Sequence, residues 1–251
     1  IQYSIEHDLP QTQINAIDQD SRGYLWIGSF GGVSRFNGIE FVNYSKSDGL
    51  VDNLVNTILV DENDHVWAGG NGGVTQISDD EIIKHYLPDS LKSVSIRCLY
   101  LTNKYLYMGS RQSGLLKCSL AKLEDTLNYT VRLGENKLRV RDIVEFNGQL
   151  VFGTNKGALI EEGDSLVPFI EDFKSLNIAS LFVQEGNLWV STYRQGVYKY
   201  DGSSSKNFDE EGLDIRNSRS IIVDLNGNPW LGARSGVQTL RGDRLVNFSG
   251  D

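Results

Sequence analysis

One pattern repeats six times along this chain and narrows the folds open to it. An apolar run of β-forming residues ends in Gly or Ser, and a second Gly follows four or five residues later. The anchors are Gly28, Gly69, Gly109, Gly153, Ser191 and Gly232, followed by Gly32, Gly73, Gly114, Gly157, Gly196 and Gly236. Anchor-to-anchor spacings are 41, 40, 44, 38 and 41 residues. A period of roughly 40 residues with strand-like content marks a β-propeller, one four-stranded sheet per repeat. All four tryptophans, Trp26, Trp67, Trp189 and Trp230, stand two residues before an anchor. A column of large aromatics at one repeat position is expected to pack between neighbouring blades, each ring burying roughly 150–250 Å². The expected fold is all-β: a propeller with six four-stranded blades, read as one domain over residues 1–251.

The second repeat shows how one blade is built. Val55 to Val60 is β-branched and apolar and reads as the inner strand A. Asp61-Glu62-Asn63-Asp64 turns, and Val66-Trp67-Ala68 is strand B. Val74 to Ile77 is strand C, Ser78-Asp79-Asp80 turns again, and Glu81 to Tyr86 is the outer strand D. Leu87 to Ser95 then crosses to the next blade. Asn37-Gly38, Asp201-Gly202 and Gly242-Asp243 signal the C–D hairpins of repeats one, five and six. Asp20, Asp61 and Asp224 read as side chains that stabilise the A–B turns. Repeats three and four lack the Trp and have shortened A–B turns. Ile1 to Ser4 and Leu245 to Ser249 both look like D strands, giving seven D-like segments for six A–B–C modules. Two readings stay open: a self-contained six-bladed ring, or a piece of a seven-bladed or tandem array.

Bulk properties exclude several classes. The net charge of −9 speaks against a general nucleic-acid binder, which needs a basic surface. No apolar stretch approaches the roughly 20 residues that span a bilayer, so no membrane contact is expected of the domain itself. The chain begins with Ile1, which reads as a segment cut from something longer, so a missing secretory signal carries no information. Cys98 and Cys118 fall on strands A and C of one blade, about 10 Å apart across strand B, too far for a disulfide. Catalytic chemistry finds no support. His7, His65 and His85 occupy different repeat positions, and no metal-ligand spacing, Ser/His/Asp set, phosphate loop or cofactor motif is present. No catalytic residue, metal or cofactor is assigned.

The first repeat runs Asn15 to Gly38 through Asp20, Gly23, Trp26-Ile27-Gly28-Ser29, Gly32-Val33 and Phe36-Asn37-Gly38. This closely resembles the two-component regulator propeller repeat. The sixth repeat matches it through Asp224, Gly227, Trp230, Gly232 and Gly236; the second through Asp61, Trp67, Gly69 and Gly73. The fifth keeps Trp189, Gly196, Tyr200, Asp201 and Gly202, and Asp48-Gly49-Leu50 and Glu211-Gly212-Leu213 match between blades. The resemblance implies a periplasmic or extracellular sensor domain, attached in the family to a histidine kinase or another signalling output and often sensing oligosaccharides. It also implies a homodimer of the full-length sensor as a partner relation. The alternatives are a protein-interaction scaffold, or a propeller lactonase or lyase.

In a propeller the B–C loops and D–A crossovers share one face. Alignment places Asn15, Asn56, Arg97, Arg141, Ala179 and Arg219 at the start of strand A, beside that face. The B–C loops add Phe30, Asn71, Arg111, Gln112, Asn155, Lys156, Tyr193, Arg194 and Arg234. The candidate ligand-binding set is therefore Arg97, Arg111, Arg141, Lys156, Tyr193, Arg194, Arg219 and Arg234, with seven of the 24 basic residues on one predicted rim. Guanidinium groups bind carboxylate or sulfate bidentately, and Tyr193 can stack on a sugar. The expected ligand is an oligosaccharide or other small anion. The competing expectation is that these cations pair with local Asp and Glu on a solvated rim.

Overall fold

The computed structural model describes residues 8–78, 81–123, 131–134, 137–208, 218–233, 236–241 and 244–248. It is all-β: six four-stranded antiparallel sheets, each in the order A–B–C–D, the β-propeller architecture. Regular structure outside the sheets is confined, among the described residues, to 3-10 turns at Asp89–Leu91, Leu120–Lys122 and Glu171–Phe173. The expected segments Ile1 to Ser4, Gly242-Asp243 and Glu211-Gly212-Leu213 lie outside the described residues.

The chain divides into two compact units, Ile1–Lys137 and Leu138–Asp251. The first holds sheet 1 (β1 Ile14–Gln19, β2 Leu25–Ser29, β3 Gly32–Phe36, β4 Phe41–Tyr44) and sheet 2 (β5 Val55–Val60, β6 Val66–Gly70, β7 Gly73–Ile77, β8 Ile82–Tyr86). Its third sheet is β9 Ile96–Leu101, β10 Tyr105–Ser110, β11 Leu115–Ser119 and β12 Val131–Leu133. The second unit holds sheet 4 (β13 Val140–Phe146, β14 Gln149–Thr154, β15 Gly157–Glu162, β16 Ser165–Pro168) and sheet 5 (β17 Ile178–Gln184, β18 Asn187–Thr192, β19 Val197–Tyr200, β20 Ser205–Asn207). Its last sheet is β21 Ser218–Val223, β22 Pro229–Ala233, β23 Gly236–Arg241 and β24 Arg244–Phe248.

The anchor glycines mark where one sheet meets the next. A Cβ on Gly28 would lie 2.8 Å from Val55 Cγ1, and one on Gly69 3.0 Å from Ile96 Cγ2. On Gly153 it would lie 2.9 Å from Ile178 Cγ2. At these three joints the inner strand of the following sheet sits directly on the anchor. The tryptophans fill the same joints. Trp26 packs with Val55 and Ile58, Trp67 with Ile96 and Leu99, and Trp189 with Ile221 and Val223. Their exposures are 3%, 3% and 4%. On β1, Ile17 is 60% exposed where its counterparts Ile58 and Leu99 are buried. On β23, Val237 is 41% exposed where Val33, Val74 and Val197 are fully buried.

The turn carboxylates do more than turn the chain. Asp20 Oδ1 accepts the Tyr24 and Arg22 amides while Oδ2 accepts Trp26 Nε1 at 3.1 Å. Asp61 and Asp224 repeat the arrangement with Trp67 and Trp230, at 2.9 and 3.0 Å. One side chain therefore fixes both the A–B turn and the indole six residues on. Cys98 and Cys118, on β9 and β11 with β10 between them, are buried and form no disulfide, as the strand assignment requires.

Candidate ligand-binding face

Every sheet carries one irregularity, always near the start of strand A. Registers jump over Asn15, Asn56, Arg97, Arg141, Ala179 and Arg219. The row aligned from sequence is thus a row of β-bulges, each residue being the extra one opposite a single partner. A bulge re-aims its side chain and bends its strand. Here the re-aimed side chains reach the next sheet. Asn15 Nδ2 donates to the Val55 carbonyl at 2.8 Å, and Asn56 Nδ2 to the Ile96 carbonyl at 3.0 Å. Arg141 Nη1 donates to the Ile178 carbonyl. Arg97 turns the other way and donates to Asn56 Oδ1 at 3.1 Å.

The B–C loops beside this row are held by one device. A hydroxyl at the end of strand B donates to the carbonyl of the Gly at or just before the start of strand C: Ser110 to Gly114 at 2.7 Å, Thr154 to Gly157 at 2.7 Å and Thr192 to Gly196 at 2.6 Å. Its oxygen also accepts a loop amide, from Ser113, Lys156 and Gln195 respectively. This is the physical content of the Gly-Ser/Thr step in the repeat. The residue after the hydroxyl is tied to the crossover: the Arg111 amide donates to Ser95, that of Asn155 to Arg139 and that of Tyr193 to Asn177.

In the second unit these devices converge on Arg141. Its Nη1 also donates to Asn177 Oδ1 at 2.9 Å, and its Cζ lies 4.8 Å from the centroid of the Tyr193 ring. Gln195 Oε1 accepts the Asn177 amide at 2.7 Å, which locks the loop to the crossover. Arg141 is half-buried, and among the described residues no carboxylate lies within ion-pair distance of it. Burial lowers the pKa of its guanidinium, Tyr193 opposes that shift and Arg139 adds to it. A guanidinium stays charged regardless, so Arg141 presents a partly desolvated positive charge whose partners are neutral oxygens and an aromatic face.

The remaining sequence-predicted residues are placed as follows. Arg219 is the exposed bulge residue of sheet 6. Arg194 is exposed next to Tyr193 with φ +71°, and Lys156 is exposed in the loop of sheet 4. In the first unit Arg97 belongs to the Asn15–Asn56 row and Arg111 is an exposed loop residue. Arg234 lies outside the described residues. Asn177 and Gln195 were not anticipated from sequence. The alignment does contain the signal for Asn177, which occupies the crossover position of Ser95 and Arg139. The Asp20, Asp61 and Asp224 carboxylates sit at the other end of strand A, each five residues and about 16–17 Å by strand rise from the bulge residue of its own sheet, so strand length keeps them from neutralising it. His65 Nδ1 lies 3.2 Å from Asp61 Oδ2 in the A–B turn, and His85 stacks on Trp67.

Comparison with known proteins fits this construction. Residues 8–31 match the family model described as Two component regulator propeller, in the repeat where the sequence resemblance was read. The fold is shared with the extracellular domain of BT3049 from B. thetaiotaomicron, assigned to a hybrid two component system. That match has 23% identity and a TM-score of 0.73, over 94% of this chain and 34% of that one. The corresponding domain of BT4673 from the same organism matches at 19% identity and a TM-score of 0.74, over 95% of this chain and 33% of that one. This chain thus spans about a third of the length of these two domains. The WD40 propeller domain of Doa1 also matches, at 11% identity, a TM-score of 0.63, and 94% and 82% coverage. No curated protein matches the chain.

Proposed function

We propose that this chain is an extracytoplasmic ligand-sensing propeller of a two-component signalling protein, acting by binding and not by catalysis. Its ligand on this reading is a small anion, an acidic oligosaccharide foremost, bound on the face formed by the bulge row and the B–C loops. The observation that carries the reading is Arg141: a half-buried guanidinium stacked on Tyr193 and held by Asn177, with no carboxylate within ion-pair distance among the described residues. Buried charges are ordinarily paired, and a preorganised guanidinium is a bidentate receptor for carboxylate or sulfate. Arg194 and Arg219 add positive charge in the same unit. The extracellular domains that share the fold support the cellular setting, and no helix of the described residues is long and apolar enough to cross a membrane.

A glycan array followed by calorimetry on the purified chain tests this. An acidic oligosaccharide should bind, and binding should weaken as salt rises, because exposed charges are screened over about 8–10 Å at physiological ionic strength. Arg141→Ala should weaken it about tenfold or more, the equivalent of ~1.5–3 kcal/mol for a hydrogen bond to a charged group. Arg219→Ala should weaken it less, and Lys206→Ala on the outer strand should leave it unchanged. Wild-type affinity in both rim variants overturns the charged-face reading. Capture of a protein in place of any glycan would favour the scaffold alternative.

A further inference from the structure

Arg194, in the B–C loop of sheet 5, adopts φ +71°. The left-handed region is disfavoured for a residue with a Cβ and free for glycine. Sheet 2 fills the corresponding position, the second after the end of strand B, with Gly72 at φ +76°. The loop imposes the angle from both sides. The Tyr193 amide donates to the Asn177 carbonyl at 2.8 Å, the Gln195 amide donates to Thr192 Oγ1 at 3.1 Å, and Gln195 Oε1 accepts the Asn177 amide at 2.7 Å. The Arg194 side chain does not offset the strain. It is exposed and, among the described residues, makes no hydrogen bond, ion pair or ring contact. Tyr193, directly before it, carries the half-buried Arg141 guanidinium 4.8 Å from its ring centroid. The charge of Arg139, exposed two residues before Arg141, opposes that of Arg141. No carboxylate lies within ion-pair distance of any of these three arginines among the described residues. Backbone strain that the surroundings impose, on a residue that the fold does not use, points to function.

We propose that Arg194 is held in this conformation to take a second anionic group of the ligand, the first lying on Arg141, so that the face selects ligands with two negative charges over ligands with one. This rests on the anionic-ligand reading above and narrows it: the ligand is an oligosaccharide that is acidic on more than one of its sugar residues. Burial divides the work between the two arginines. Arg141 is preorganised by Asn177 Oδ1 and the Tyr193 ring, and it decides whether an anion binds. Arg194 is solvated, so its contact is charge-assisted but sensitive to salt. Once the first group is bound the second contact is intramolecular, and the two multiply in affinity. The gathered positive charge of Arg139, Arg141 and Arg194 is relieved further by each negative charge brought among them.

The test is calorimetry on the purified chain with two probes, digalacturonate and its monomethyl ester, which has the same two rings and one charge. Wild type should bind digalacturonate about tenfold or more tightly than the ester, the effect of one further hydrogen bond between charged groups. Arg194→Gly removes both the charge and the backbone strain. It should hold or raise the melting temperature and reduce the preference for digalacturonate to about twofold or less, the factor expected from two equivalent carboxylates competing for Arg141 alone. Arg194→Gln keeps a long side chain without the charge and should lose the preference as the glycine variant does. A preference that persists in Arg194→Gly or Arg194→Gln overturns the proposal, as does equal wild-type affinity for the two probes. The wild-type comparison decides the matter even if a variant fails to fold. Failure of the parent reading looks different: neither probe binds, or Arg141→Ala binds the ester as wild type does, and either result removes this proposal with it.

Discussion

Asp20→Ala should destabilise the first unit by about 2–6 kcal/mol, the sum of the partners it would strand. The Asp20 side chain, fully buried, accepts Trp26 Nε1, the Tyr24 and Arg22 amides and Arg22 Nη2. Truncation leaves the indole N–H of a residue 3% exposed without an acceptor, a cost of about 1–3 kcal/mol. The two turn amides lie near solvent and can find water, so each loses only about 0.5–1 kcal/mol. The pair with the half-exposed Arg22 adds about 0–1 kcal/mol. Urea denaturation followed by circular dichroism measures the total. A double-mutant cycle with Trp26→Phe isolates the indole bond, with an expected coupling of about 1–2 kcal/mol. The effect also has a pH signature. Burial works against the charged form of Asp20, but the Trp26 indole, the Tyr24 amide and Arg22 outweigh it and hold the pKa below its ordinary 3.8. Its contribution is therefore full above pH 3.8 and lost as pH falls through the lower folded value, so wild type and Asp20→Ala should converge in acid. An Asp20→Ala variant within about 0.5 kcal/mol of wild type, or strict additivity with Trp26→Phe, would refute the claim that the turn and the tryptophan act as one unit.

Three further outcomes are expected. Gly32→Ala should destabilise by several kcal/mol or prevent folding, since Gly32 has φ +122° and its Cβ would lie 2.1 Å from the Tyr44 carbonyl oxygen; Gly38→Ala, with φ +95° but open space around it, should cost only the backbone strain of about 1–2 kcal/mol, and melting curves separate the two. Burial raises the pKa of Asp142 against hydrogen bonds from the Leu181 amide, the Ser180 hydroxyl and the Ile143 amide. Ionising it therefore costs stability as pH rises above 3.8 through the folded value, and the melting temperature of Asp142→Asn relative to wild type should increase over that range; a flat difference would contradict the sign. Asn56→Ala removes the clasp to Ile96 and the acceptor of Arg97; a loss of about 1–2 kcal/mol is expected, and an Asn56→Asp variant that keeps the Arg97 contact should recover part of it in the same denaturation assay.

The architecture was legible because it is local and repeated. Glycine spacing, β-branched runs and Asx turns encode hairpins over a few residues, and six copies let each correct the others. The tryptophan column reads directly as joints because no other place on a blade needs so large an apolar surface. Asp20, Asp61 and Asp224 were legible as turn residues for the same reason, but their bond to the indole was not. Carboxylate and indole stand six residues apart, one in the A–B turn and one on strand B, and only the hairpin brings them to 2.9–3.1 Å from each other.

The candidate site divides along the same line. Sequence alone put Arg97, Arg141 and Arg219 in one row and Arg111, Lys156, Tyr193 and Arg194 in adjacent loops. It could not say that the row is a row of bulges, since an extra residue becomes visible only against the strand it faces. It could not distinguish an arginine neutralised by a carboxylate from one held by Asn177, a backbone carbonyl and the Tyr193 ring. That distinction depends on which groups from different repeats come within a few ångströms, and distance between repeats is a property of the packed sheets alone.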